Sequence, residues 1–202
     1  MNKKLSFGTN QKPDLQMIDI SATGEINFAE SSSNLKDAPS KFNILAYNGG
    51  VVYVGYYGPI VIDLDGMKIP KQVIPILDSH EKSLDSVLGR TEKIEIIDGV
   101  VRESGILYSN SDETAAKVVA KAKDGHPWES SIGAMPLVLE EILQGASDTV
   151  NGQEIKGPVW VAKESELRET SIVVHGADRQ TSIDIAAKQT LTPKKTIMFF
   201  NP

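Results

Sequence analysis

Two adjacent serines, Ser130 and Ser131, stand between a tryptophan and a glycine in the stretch GHPWESSIGAMP, residues 125–136. A serine hydroxyl is a poor nucleophile at neutral pH. It needs a base within hydrogen-bond reach, most often a histidine oriented by a carboxylate. The chain offers three histidines, His80, His126 and His175. His80 follows the apolar run VIPIL, where a strand gives way to a polar loop, a place held by the scaffold yet open to substrate. His126 precedes Pro127 in the turn after a helical run, where a positive end at the helix C-terminus is role enough. His175 ends the apolar run SIVV, again at a turn. The segment after Trp128 reads as extended, so Ser130 and Ser131 point to opposite faces and at most one can share a site with His80. Ser131 precedes Ile132 and Gly133, and the glycine gives the backbone room to approach a substrate carbonyl.

Other chemistries are excluded by the same residues. There is no cysteine, which removes disulfides, thiolate catalysis and zinc–thiolate sites. ESSIG has Glu129 where the nucleophile elbow of an α/β-hydrolase needs a small residue for its strained turn. Ser79 to Lys82, SHEK, has the S-x-x-K spacing without a following K-T-G. His80-Glu81 opens H-E-x-x-H, but the next histidine is far away. No glycine-rich phosphate loop is present.

The elements that must position these residues follow from composition and breaks. The 202 residues, 40% hydrophobic, suit one compact domain with extensions. With 27 acids against 21 bases and no basic stripe, nucleic acid is not an expected partner. No segment approaches the roughly 20 apolar residues that span a bilayer, and the lysines of MNKK lead into no apolar run, so the expectation is a soluble protein made in a cytoplasm. Residues 1–40, polar and serine-rich, read as a flexible extension. From Lys41, short β-branched and aromatic runs are broken at Asn48-Gly49-Gly50, Gly58-Pro59 and Asp65-Gly66, and further strands flank Asp98-Gly99. SDETAAKVVAKAKDG reads as a helix. Ser111 or Asp112 caps it, Ala115, Val118, Val119 and Ala122 form its apolar stripe, and Gly125 stops it. MPLVLEEILQG fits either a short second helix ending at Gly145 or an irregular strand. Asn151-Gly152 marks another hairpin, and more strands surround a turn at Gly176. The fold class is therefore mainly β with α (α+β): an antiparallel sheet or barrel carrying one or two helices.

In chain order, ILDSHEKSLDSVLGR, then KDGHPWESSIGAMP, then ELRETSIVVHGADRQTSI closely resembles the tailed-phage prohead proteases. These are capsid-maturation serine peptidases related to the herpesvirus assemblins. The resemblance rests on His80 after an apolar strand with Gly89 beyond it, and on a helix ending at Gly125 before Ser131-Ile132-Gly133. It is completed by Glu169, Ser171, Ile172 and Val173 before the turn HGAD. It spans residues 41–187, leaving 188–202 as a tail, and implies an assemblin-like fold. It further implies Ser131 as nucleophile, His80 as general base and Glu169 as third member. His175 is the alternative third member by analogy with the herpesvirus relatives, and Glu169 fits the phage pattern. Neither metal nor cofactor is implied. The implied substrates are the major capsid protein, scaffold protein and the chain itself, in the bacterial host cytoplasm inside an assembling procapsid, with a homo-oligomer expected. A catalytically silent capsid- or scaffold-associated assembly protein of the same fold is the alternative.

Overall fold

The computed structural model describes residues 4–6, 18–22, 39–55, 57–174 and 183–185. Fourteen strands and one α-helix lie among them. They are β1 (Lys4–Ser6), β2 (Ile18–Ala22), β3 (Ser40–Tyr47), β4 (Val52–Val54), β5 (Gly58–Ile62), β6 (Met67–Lys68) and β7 (Pro75–Asp78). Next come β8 (Val87–Ile97), β9 (Val100–Leu107), α1 (Glu113–Lys123), β10 (Glu129–Ile142), β11 (Ser147–Val150), β12 (Gln153–Lys156), β13 (Val159–Val173) and β14 (Ile183–Ile185). The mainly β class with a packed helix matches the sequence expectation. His175, the Gly176 turn and the tail 188–202 lie outside the described residues.

Twelve strands form one sheet, whose main path runs β1-β10-β13-β7-β8-β9-β3-β14. β13 is its spine. Along one edge it pairs antiparallel with β10, from Val159↔Ile142 to Val173↔Glu129. Along the other it receives β5, β6 and β7 in succession, all parallel. These parallel pairings depart from the antiparallel sheet expected from the sequence. β2 and β1 lie inside the 1–40 stretch and pair antiparallel with β10. The sheet curls until β3 meets β10 again, and there the Ser130 hydroxyl donates to the Leu45 carbonyl at 3.2 Å.

Local rules explain the joints. Asp98-Gly99 and Asn151-Gly152 both take positive φ, as the tight hairpins joining β8 to β9 and β11 to β12 require. Asp65-Gly66 forms a 3₁₀ turn instead of a hairpin. The Asp112 carboxylate accepts from the Ala115 N–H at 2.6 Å, which fixes the helix cap. At the other end Gly125, at φ +87°, donates to the Ala122 carbonyl while His126 N–H reaches Lys121. Together these bonds make a Schellman stop. MPLVLEEI continues β10 as strand to Ile142, its register on β13 slipping beside Pro136, which has no N–H to give the ladder.

Ile60, Ile62, Ile76, Leu88, Leu107, Ile132 and Leu167 are fully buried in the core cluster that α1 covers with Ala115, Val118 and Val119. The Trp128 indole N–H donates to the Val118 carbonyl at 3.0 Å, tying α1 to the start of β10. Gly89 sits in the ladder between β7 and β9, where a Cβ would meet the Ile106 carbonyl oxygen at 2.2 Å. Its role is close strand approach. No helix among the described residues is long and apolar enough to cross a membrane.

Candidate active site

Three strands bring the site together. β10 and β13 run antiparallel with Ser131 opposite Ser171 and Gly133 opposite Glu169, while β7 lies parallel on the far side of β13 with Leu77 opposite Ser171. Side chains alternate along a strand, so Glu169 and Ser171 share one face of β13, and directly opposed Ser131 shares it too. Ser130 and Thr170 fall on the reverse face.

His80 arrives on that face from the turn leaving β7. Ser79 and His80 adopt φ of +50° and +63°, and the Glu81 N–H returns to the Asp78 carbonyl at 2.9 Å, the pattern of a type I′ turn. Left-handed backbone at non-glycine residues costs of order 1–3 kcal/mol each and persists only where surrounding bonds over-determine it. Here the Ser79 N–H donates to Ile172 O at 3.1 Å and the His80 N–H donates to Ser171 Oγ at 3.0 Å. The histidine is thus pinned to β13 by its own backbone.

Its ring completes a hydrogen-bonded chain. His80 Nδ1 lies 2.8 Å from Glu169 Oε1, and Nε2 lies 2.6 Å from Ser131 Oγ. The second carboxylate oxygen, Oε2, accepts from the Ser171 hydroxyl at 2.8 Å. A carboxylate only accepts, so Nδ1 carries the proton and Nε2 is left to accept from the serine hydroxyl. Ser131 and Ser171 are wholly buried, Glu169 is buried, and the His80 side chain retains 18% exposure. Of the residues singled out in the sequence, His80, Ser131 and Glu169 therefore meet, whereas Ser130 is turned away toward β3. His126 instead packs edge-on against Trp128, with ring centroids 4.3 Å apart. His175 is outside the described residues.

Two contributors carry no role in the sequence analysis. Ser171 links the His80 backbone to Glu169. Its signal was the alternation E-x-S, which puts the hydroxyl on the carboxylate's face. The other is Glu103 on β9, which lies behind the site. It is buried, its Oε1 accepts from Thr170 Oγ1 at 2.9 Å, and its Oε2 has no hydrogen-bond partner among the described residues. Burial pushes its pKa up to about 8; the negative charge of Glu169 adds to the effect and the Thr170 bond opposes it. A cleft of about 180 Å³, large enough for a side chain or two, opens beside the His80 turn between Asp78, Ser79, Lys117, Lys121 and Trp128. Among the described residues no group of three or more His, Asp or Glu side chains is placed to hold a metal ion.

The described residues thus form a mainly β protein with one packed helix and a hydrogen-bonded serine–histidine–glutamate chain. No family model, curated protein or solved structure matches the chain. The geometry of these residues therefore carries the functional argument.

Proposed function

We propose that this protein is a serine endopeptidase that works through an acyl-enzyme, with Ser131 as nucleophile, His80 as general base and Glu169 as the residue that orients the imidazole. The observation that carries the reading is the continuous chain from Ser131 Oγ through both ring nitrogens of His80 to Glu169, with contacts of 2.6 and 2.8 Å. His80 Nε2 takes the hydroxyl proton as Ser131 Oγ attacks the peptide carbonyl. The same nitrogen then protonates the leaving amine. Water then gives a proton to His80 Nε2 as its oxygen attacks the ester carbonyl, and the imidazolium returns that proton to Ser131 Oγ as the acid leaves. Glu169 holds Nδ1–H throughout and stabilises the imidazolium. Ser171 is a positioning residue, since it fixes both the carboxylate and the His80 backbone.

The resemblance to prohead proteases supports a substrate class: scaffold protein, the major capsid protein and the chain itself, cut within an assembling procapsid in the bacterial host. Confinement there raises the effective concentration of enzyme and substrate, so a modest intrinsic rate suffices. The complete burial of Ser131 favours a second reading, a catalytically silent assembly protein in which the three residues form a buried polar cluster.

Intact-mass measurement after exposure to a fluorophosphonate separates the two readings. A peptidase gains one adduct in wild type and in Ser130→Ala and none in Ser131→Ala, and co-expressed capsid and scaffold proteins are cut in the same pattern. Equal labelling of Ser131→Ala and wild type overturns the nucleophile assignment.

A further inference from the structure

A peptide bond can be brought past Ser131 in extended form only along an edge of β10. One edge is taken for the strand's whole length by β13, through thirteen register pairs. On the other edge, beside Ser131, lies β2: Ala22 pairs with Ser130, Ser21 with Ser131, Ile20 with Ile132, Asp19 with Gly133 and Ile18 with Ala134. This chain's own segment thus runs antiparallel along the nucleophile's strand, with the small residues Ser21 and Ala22 at the register positions of the two serines. An extended peptide gains main-chain hydrogen bonds by adding to an open sheet edge, which is a general mode of peptide recognition. Ser131 is meanwhile wholly buried.

We propose that the β10 edge from Ser130 to Ala134 is where a polypeptide substrate adds as an antiparallel strand, and that Ile18–Ala22 is the resident occupant which substrate must displace. The proposal rests on the peptidase reading of Ser131. Of the two strands flanking β10 at Ser131, β2 is the one that can leave. It holds five register pairs against thirteen for β13, and β13 is further locked to β5, β6 and β7. The seventeen residues between Ala22 and Ser40 tether it. A tether of that kind gives an effective concentration of order mM, which a free peptide at tens of μM meets at a disadvantage of about tenfold or more. The N-terminal segment thereby sets a threshold: only a substrate presented at high local concentration opens the site.

The test measures binding apart from catalysis. In a Ser131→Ala background, one protein keeps the native β2 and another carries Ile20→Pro with Ser21→Pro. Successive strand residues turn their N–H groups in opposite directions, so the pair removes a ladder donor in either phase. A fluorescent peptide of sequence QMIDISATG, residues 16–24, is titrated into both and followed by anisotropy. The expected result is at least tenfold tighter binding to the double-proline protein, and, with Ser131 restored, at least tenfold faster fluorophosphonate labelling. Equal or undetectable peptide binding in the two proteins overturns the proposal, and does so even if Ser131 labels. Tighter binding without any labelling sustains the occupant and removes the peptidase reading instead. Should the double variant not fold, amide hydrogen exchange on the unaltered chain decides. A displaceable occupant exchanges at Ile18–Ala22 at least tenfold faster than Thr170–Val173 in β13, and equal protection overturns the proposal.

Discussion

Glu103 offers a test of the structure that is independent of any activity. Its carboxyl is buried behind the site with one hydrogen bond and a pKa of about 8, against an ordinary 4.5. Between these values the folded protein keeps a proton that the unfolded chain has released. Stability therefore falls as pH rises, by about 1.36 kcal/mol per pH unit for one proton. The contribution of the neutral carboxyl is complete below about pH 4.5, is lost as pH rises toward about pH 8, and is then constant. Three and a half pH units correspond to about 5 kcal/mol, as large as the whole stability of a marginal domain. Glu103→Gln keeps the shape and the acceptor for Thr170 but cannot ionise. Urea unfolding of both proteins at about pH 5, 6, 7 and 8 should show Gln close to wild type at the acid end. Its advantage should grow by about 4 kcal/mol by the alkaline end. A difference that stays flat within about 1 kcal/mol across that range would refute the buried, proton-retaining carboxyl.

Three further expectations address the site. Glu169→Gln keeps the shape but offers one acceptor oxygen where the carboxylate uses two, so its NH2 can face His80 Nδ1 and select the wrong tautomer. It should slow fluorophosphonate labelling by about 10³- to 10⁴-fold with the fold intact by circular dichroism. Ser171→Ala removes the link between His80 N–H and Glu169 Oε2 and should slow labelling by about tenfold and displace its pH profile. Ser171→Thr should recover most of the rate, and an unchanged profile in Ser171→Ala would deny the positioning role. Ser130→Ala should label at the wild-type rate yet unfold about 1 kcal/mol more easily in urea, since it loses the bond to Leu45 O.

What could be read in the sequence was what short-range chemistry writes there. Asp98-Gly99 and Asn151-Gly152 announce hairpins because few other residues tolerate the required positive φ, and α1 announces itself by its cap, stripe and stop. The parallel docking of β5, β6 and β7 on β13 left no such mark, because it joins segments about a hundred residues apart without any turn between them. Nor could a pattern decide between strand and helix for MPLVLEEI, whose fate depends on the ladder that β13 offers. Glu103 shows a signal that was available and unused. In VVRESGIL it occupies the phase of Val101, Gly105 and Leu107, and an acid in a core-facing phase is a buried acid. The left-handed turn that aims His80 had no signature, since Ser79-His80 is not a sequence that favours positive φ.

The doubled serine gives the β10–β13 register an unusual meaning. A slip of one residue would swap the faces, offering Ser130 to His80 and sending Ser131 inward, so a hydroxyl would stand before the imidazole in either frame. What helps distinguish the frames is the apolar set in the phase of Ser130 (Ile132 and Ala134), fully buried in the native frame and turned toward the imidazole's face in the other. Under the proposed peptidase reading, the choice of attacking oxygen thus depends on hydrocarbon side chains of the opposite strand face. Weakening that anchor, as Ile132→Ser would, should narrow the gap between the two frames.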